Sequence, residues 1–363
     1  MRSILITLLA ALLQGSMVAQ EEADTAGIGG VNWFAYPYAF YTPETDLAFG
    51  AAGVLYFRTE RDRLLNPSQV LLSGYYTINN QYDVTLGPQF YFSRNRYFGS
   101  LDLGFKKVID KFYGIGNDAV ETGGESYTAN AIRAELVFQM PPYVLRFMKM
   151  VGFIYRYNYY RILDRKENEL LLTDAVAGTK GGASSGFGII WVLDSRDNIY
   201  SPVRGVFHQF RAVFHSRAFG SRYDYNDYRI DLRGYYPIPG ETILGAQIYG
   251  NLVRGFPPFY ELARLGGSER MRGYYEGRFR DRNYVTGQLE LRRMIWLRIG
   301  VVGFLGAGQV NDRTAKFSLR GFKPTYGFGV RYVIDLKERL NVRADFAWGE
   351  NTSGVYFGIN QAF

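Results

Sequence analysis

From residue 31 to residue 363 the chain divides into sixteen segments of about ten residues in which apolar and polar side chains alternate. They fall near 31–41, 47–59, 68–79, 81–93, 97–107, 126–140, 149–161 and 184–195, then 204–217, 223–237, 241–254, 284–296, 299–310, 322–335, 339–348 and 353–363. In GQLELRR (287–293), Gln288, Glu290 and Arg292 share a face opposite Leu289 and Leu291. In NVRADF, Arg343 and Asp345 oppose Val342, Ala344 and Phe346, and in YGFGVRYVI, Gly327, Gly329 and Arg331 oppose Tyr326, Phe328, Val330 and Tyr332. A period of two places every second side chain on one side of a sheet.

The apolar side needs a partner, and lipid is the one that fits. Beyond the first nineteen residues no apolar run reaches even fifteen, too short for a spanning helix. A closed barrel is then the remaining way to cross a bilayer with every backbone group satisfied. The chain carries 30 Tyr, 27 Phe and 4 Trp, more than a soluble domain of this length readily hides, and aromatic girdles at the two membrane interfaces would use them. Sixteen is an even number, as single-chain bacterial barrels require. A charge on the lipid side at mid-membrane costs roughly 2–4 kcal/mol, so the polar set must face the lumen. The expected fold is therefore an all-β, 16-stranded antiparallel transmembrane barrel.

The start of the chain reads differently. Met1-Arg2-Ser3, the apolar run Ile4–Leu13 and the small residue Ala19 have the layout of a secretory signal peptide over 1–19. Residues 20–30 are expected to form a short periplasmic segment and 31–363 the barrel. The net charge is +8. An exported protein rarely meets nucleic acid, so outer-membrane lipid and lipopolysaccharide are the expected anionic counterparts. Cysteine is absent, which excludes disulfides and thiolate chemistry. The only histidines, His208 and His215, alternate with bulky residues as strand positions do. No metal-ligand spacing stands out, and no cofactor is expected.

Connections follow a parity. The long ones, 108–125, 162–183 and 255–283, come after the fifth, seventh and eleventh segments, whereas 94–96, 238–240 and 336–338 are short. Long outer loops and short periplasmic turns give this pattern. The sixth outer loop contains LGGSERMRGYYEGRFRDRN (265–283), with five arginines: Arg270, Arg272, Arg278, Arg280 and Arg282. These cannot lie against lipid. They either project into solvent, where they would meet lipopolysaccharide phosphates, or fold back into a bore too wide for wall side chains to fill.

That loop resembles the sixth-loop motif of the BamA/TamA superfamily of outer-membrane barrels, the bacterial surface antigen family. Its Arg-Gly-aromatic core is Arg272-Gly273-Tyr274 here. QLELR (288–292), FYGIGN (112–117), YTPET (41–45) and DSRDNIYSPVRG (194–205) are similar to other family segments, the last supplying the periplasmic turn residues Asp194, Arg196, Asp197, Pro202 and Gly205. Phe357, Ile359 and Phe363, placed on one face, resemble the terminal signal read by the barrel-assembly machinery, although Gln361 departs from it. The resemblance implies that the loop folds inward and that Arg272 latches onto a lumen carboxylate. The family's usual acid is replaced by Gly306, which leaves Glu290, the first choice, and Asp345; Arg292, Arg331 and Arg343 are further lumen charges. It also implies a lateral gate between the first and last strands, where Pro37, Gly354 and Gly358 would weaken pairing. The POTRA domains usual in the family have no counterpart here, so clients would arrive through a separate periplasmic partner or at the seam itself.

The implied role is assisting insertion, assembly or translocation of other outer-membrane proteins, without catalysis. The alternative is a passive diffusion pore or structural barrel. GASSG (182–186) matches the Gly-x-Ser-x-Gly of serine hydrolases, but that motif needs a strand, a sharp turn and a helix. It lies where an outer loop enters a strand.

Overall fold

A computed structural model describes residues 31–60, 65–119, 123–142, 149–165, 171, 176–336 and 339–363. The expected signal peptide (1–19) and the 20–30 segment lie outside the described residues. The first half of the chain forms β1 (Asn32–Thr42), β2 (Asp46–Phe57), β3 (Ser68–Thr77), β4 (Tyr82–Phe92), β5 (Tyr97–Phe112), β6 (Glu125–Met140), β7 (Met150–Arg165), β8 (Gly182–Asp194) and β9 (Gly205–His215). The second half forms β10 (Tyr225–Ile238), β11 (Thr242–Gly255), β12 (Ala263–Leu265), β13 (Phe279–Asp281), β14 (Asn283–Trp296), β15 (Ile299–Asn311), β16 (Lys323–Asp335), β17 (Leu340–Gly349) and β18 (Thr352–Ile359). Sixteen of these close into one antiparallel barrel. The three-residue strands β12 and β13 pair with each other inside the sixth outer loop.

The inward and outward sets follow the charges. Gln288, Glu290, Arg292, Arg331, Arg343 and Asp345 are buried. Leu289, Leu291, Tyr326, Phe328 and Val330 are exposed on the opposite face, where lipid lies. Strands β5, β6 and β7 are each sixteen residues long; β5 and β7 run five and four residues past their expected ends, and β6 keeps its expected bounds to within one residue.

The barrel's apolar core lies in its bore. The sixth outer loop folds inward, and Leu265, Met271, Tyr274 and Phe279 pack against Tyr249, Tyr284 and Val310 of the wall. Nearer its start, Phe259, Tyr260 and Leu262 pack on Phe112, Tyr127 and Ala129. The loop thus fills space that wall side chains cannot reach.

One terminal feature differs from expectation. Strand β18 ends at Ile359, not at 363. Asn360 adopts φ 65° and turns the chain inward. Phe357 and Ile359 stay exposed, whereas Phe363 is buried beside Tyr235. The three do not share a face, which corrects that expectation. The physical reason is visible in the polar partners: Arg331 Nε donates to Gln361 Oε1 at 2.8 Å, and Arg292 Nη2 donates to the Phe363 carbonyl at 2.8 Å. Lumen arginines hold the segment inside. At the other end of the chain, β1 runs through Pro37, which lies opposite Ala51 of β2. Its other side faces β18, which it meets at one Cα pair, Tyr41 with Phe357.

Candidate functional site

The loop backbone around Arg272 makes a tight reversal. Met271 takes φ 53° and Gly273 φ 101°, both in the left-handed region. A Cβ on Gly273 would sit 2.8 Å from the Trp348 carbonyl carbon, so only glycine fits here. This reversal aims the Arg272 side chain at the wall formed by β14, β15, β16 and β17.

Arg272 is fully buried there. Its Nη1 donates to Asp345 Oδ2 at 2.8 Å, and its Nη2 donates to Glu290 Oε1. Glu290 also receives Arg292, at 2.8 Å. Asp345 also receives Arg331 at 2.5 Å and Arg343 at 3.1 Å. Four guanidiniums therefore surround two carboxylates. The two acids left open by the sequence both hold Arg272. The ring of Phe304 lies under the guanidinium at 3.5 Å, in space that a Cβ on Gly327 would close. That apolar floor had no signal in the motif, although Phe304 shares the inward face with Gly306.

Further bonds hold the same turn. Thr325 Oγ1 donates to the Arg272 carbonyl. Gly273 N donates to Tyr356 Oη at 2.9 Å, and Thr352 Oγ1 donates to the Gly273 carbonyl at 2.9 Å. Tyr274 Oη donates to the Pro324 carbonyl at 2.9 Å and accepts from Glu350 N at 2.7 Å. On the other side of the seam, Glu44 in the β1–β2 turn accepts from Glu276 N at 2.6 Å. Burial pushes the Glu44 carboxyl up, against the lowering effect of that N–H. Residues 273–276 thus touch β18 and the β1–β2 turn together.

The remaining loop arginines divide. Arg280 is buried, donates to the Lys111 carbonyl at 2.8 Å and packs over Phe112. Arg278 donates to the Ala119 carbonyl and lies between the rings of Tyr113 and Phe279. Arg270 stacks on Tyr249. Only Arg282 of the five is exposed. In this structure the flanking tyrosines and phenylalanines pack on the wall beside the guanidiniums.

The other candidate residues lie elsewhere. In the 195–204 turn, Arg196 pairs with Asp194 at 2.7 Å, and Asp197 accepts from Val203 N, Arg204 N and, at 2.6 Å, Arg339. Burial pushes the Asp197 carboxyl up, but Arg339 and the two N–H groups outweigh it and hold it below the usual range. Pro202 lies within the turn, and Gly205 takes φ 104° as β9 begins. The Asp197–Arg339 pair ties this turn to the one joining β16 and β17. Gly354 and Gly358 are both laddered to β17, and they leave room for the Tyr356 hydroxyl and the Arg343 guanidinium. His215 stacks on Tyr225 with centroids 4.1 Å apart, and Gly182–Gly186 run straight as the first residues of β8 without a turn into a helix.

A closed barrel with an apolar outer face and a charged bore is an outer-membrane β-barrel. The domain model of the Omp85 superfamily matches residues 67–363, and the chain belongs to that superfamily. No curated protein sequence matches it. Among solved structures, BamA from Haemophilus ducreyi lacking POTRA domains 1-3 is similar at 13% identity, with 92% of this chain and 70% of that one covered and a TM-score of 0.59. CdiB from Acinetobacter baumannii is similar at 12% identity, 91% and 59% coverage and a TM-score of 0.61. CdiB from Escherichia coli gives 10% identity, 90% and 62% coverage and 0.59. This chain thus spans about three fifths of the length of the two CdiB chains. The protein resides in the bacterial outer membrane.

Proposed function

We propose that this barrel assists insertion or translocation of other proteins at the outer membrane, without catalysing a reaction. In this reading residues 1–19 are the export signal, and the barrel-assembly machinery inserts the chain. Clients are outer-membrane proteins, delivered by a separate periplasmic partner or recruited at the seam. Arg272-Gly273-Tyr274 latches the sixth loop across the bore, and lipid and lipopolysaccharide surround the outer face.

One observation carries the proposal: β1 and β18 share a single Cα pair, whereas β17 and β18 share eight. A barrel needs no such weak junction to be stable. It needs one if strands must part sideways. The loop tip spans this junction, so releasing the loop would release the seam.

The test uses Tyr41→Cys/Phe357→Cys, a directly opposed pair. Opposed Cα atoms in an antiparallel ladder lie about 4.5–5.5 Å apart, within disulfide range. Liposomes carrying the reduced protein are expected to speed folding of an unrelated barrel. Oxidation is expected to return the rate to that of empty liposomes. Equal activity in both redox states would remove the seam from the mechanism, and no acceleration in either would favour the passive pore or structural barrel.

A further inference from the structure

The loop leaves part of the bore unfilled. Held to β14–β17 through Arg272, it leaves cavities of about 270 Å³ and about 200 Å³ against the inner faces of β4–β11. The two cavities share Arg211 and Arg229 in their linings.

Charges around the shared arginines do not cancel. Arg156 and Arg211 share Glu135, at 3.0 and 2.5 Å. Arg156 and Arg229 share Asp227, both at 2.7 Å. Three guanidiniums thus rest on two carboxylates. Arg270, lining the smaller cavity, forms no ion pair with a described residue. Asp231 in the same lining is taken by Arg233 at 2.6 Å. Glu261 and Asp83 add two acids to the larger cavity, set against Lys106, Arg133 and Arg264; Asn158 donates to Glu261 at 2.9 Å, and burial pushes the Glu261 carboxyl up. Arg211 Nε is buried without a hydrogen-bond partner among the described residues.

Planar guanidinium forks with spare donors, facing confined water, match the oxygens of a phosphate group. We propose that the smaller cavity, where it meets the larger at Arg211 and Arg229, binds a phosphate group, as the free ion or on a small ester, between Arg211, Arg229 and Arg270. The site depends on the loop lying inside the bore and not on any insertion activity, so it stands apart from the function proposed above.

Calorimetric titration of inorganic phosphate into the full-length protein, in zwitterionic detergent with chloride held constant, tests it. The expected result is saturable binding that added chloride does not reproduce, weakened at least tenfold in Arg270→Gln. Heat-modifiable migration on SDS gels checks that the variant is folded. Arg211→Lys, which keeps the charge but loses the fork, provides a second comparison and is expected to weaken binding severalfold. A short-chain phosphatidic acid in the same detergent distinguishes the source: tighter binding than free phosphate assigns the site to a headgroup, and weaker binding assigns it to the free ion. No saturable heat with either probe, or parental affinity in both variants, overturns the proposal.

Discussion

Replacing Arg272 with alanine removes the guanidinium that joins Glu290 to Asp345. Breaking a buried ion pair typically costs about 3–5 kcal/mol, because a buried charge is left uncompensated. Here neither carboxylate is orphaned: Glu290 keeps Arg292 at 2.8 Å, and Asp345 keeps Arg331 at 2.5 Å and Arg343 at 3.1 Å. The loss therefore sits at the low end, about 3 kcal/mol, with the contact to Phe304 included. At about 1.4 kcal/mol per factor of ten, the docked loop loses roughly a hundredfold in population relative to the released one. Trypsin reads that population directly when reclosing is faster than cleavage. Cleavage after Arg278 or Arg280, both enclosed in the intact protein, should accelerate about a hundredfold in Arg272→Ala. Glu290→Gln leaves the Asp345 bond and should accelerate it less, and the double variant should fall short of the sum because the two residues share one network. A folded Arg272→Ala protein cut at the parental rate would refute the latch.

Gly273→Ala forces a Cβ against the Trp348 carbonyl carbon at a backbone angle that alanine avoids. It should cost about 1–3 kcal/mol and open the loop to trypsin by about tenfold or more. The periplasmic tie of Asp197 to Arg339 should depend on pH. The folded carboxyl sits below its ordinary value of about 3.9, so its contribution is present above pH 4 and is lost as pH falls through the folded value. Asp197→Asn should therefore flatten the acid limb of urea-unfolding midpoints below pH 4 and leave the relative pH dependence above it unchanged.

Much of the barrel was legible because a lumen charge leaves no freedom of register. Glu290, Arg292, Arg331, Arg343 and Asp345 each fixed a strand's inward face, since a one-residue slip would place them in lipid. Some strand ends were less legible: β5 and β7 continue as paired ladders to Phe112 and Arg165, and nothing in their polarity marks where the strand stops. At the candidate site, the family resemblance singled out Arg272, and the inward face of their strands singled out its two acids. Phe304, Thr325, Tyr356 and Glu44 were not, because their roles arise only when a distant loop folds onto them. Gln361 was the missed clue at the last strand. A polar residue at an expected lipid-facing position marks a segment that has turned to the lumen, where Arg331 receives it.

Current through a planar bilayer tests most directly whether the arginine-rich loop occupies the bore. The intact protein should conduct weakly, and a variant lacking residues 265–283 should conduct several times more, as a wide water-filled barrel does. A high, steady conductance in the intact protein that does not change on removing the loop would contradict the account.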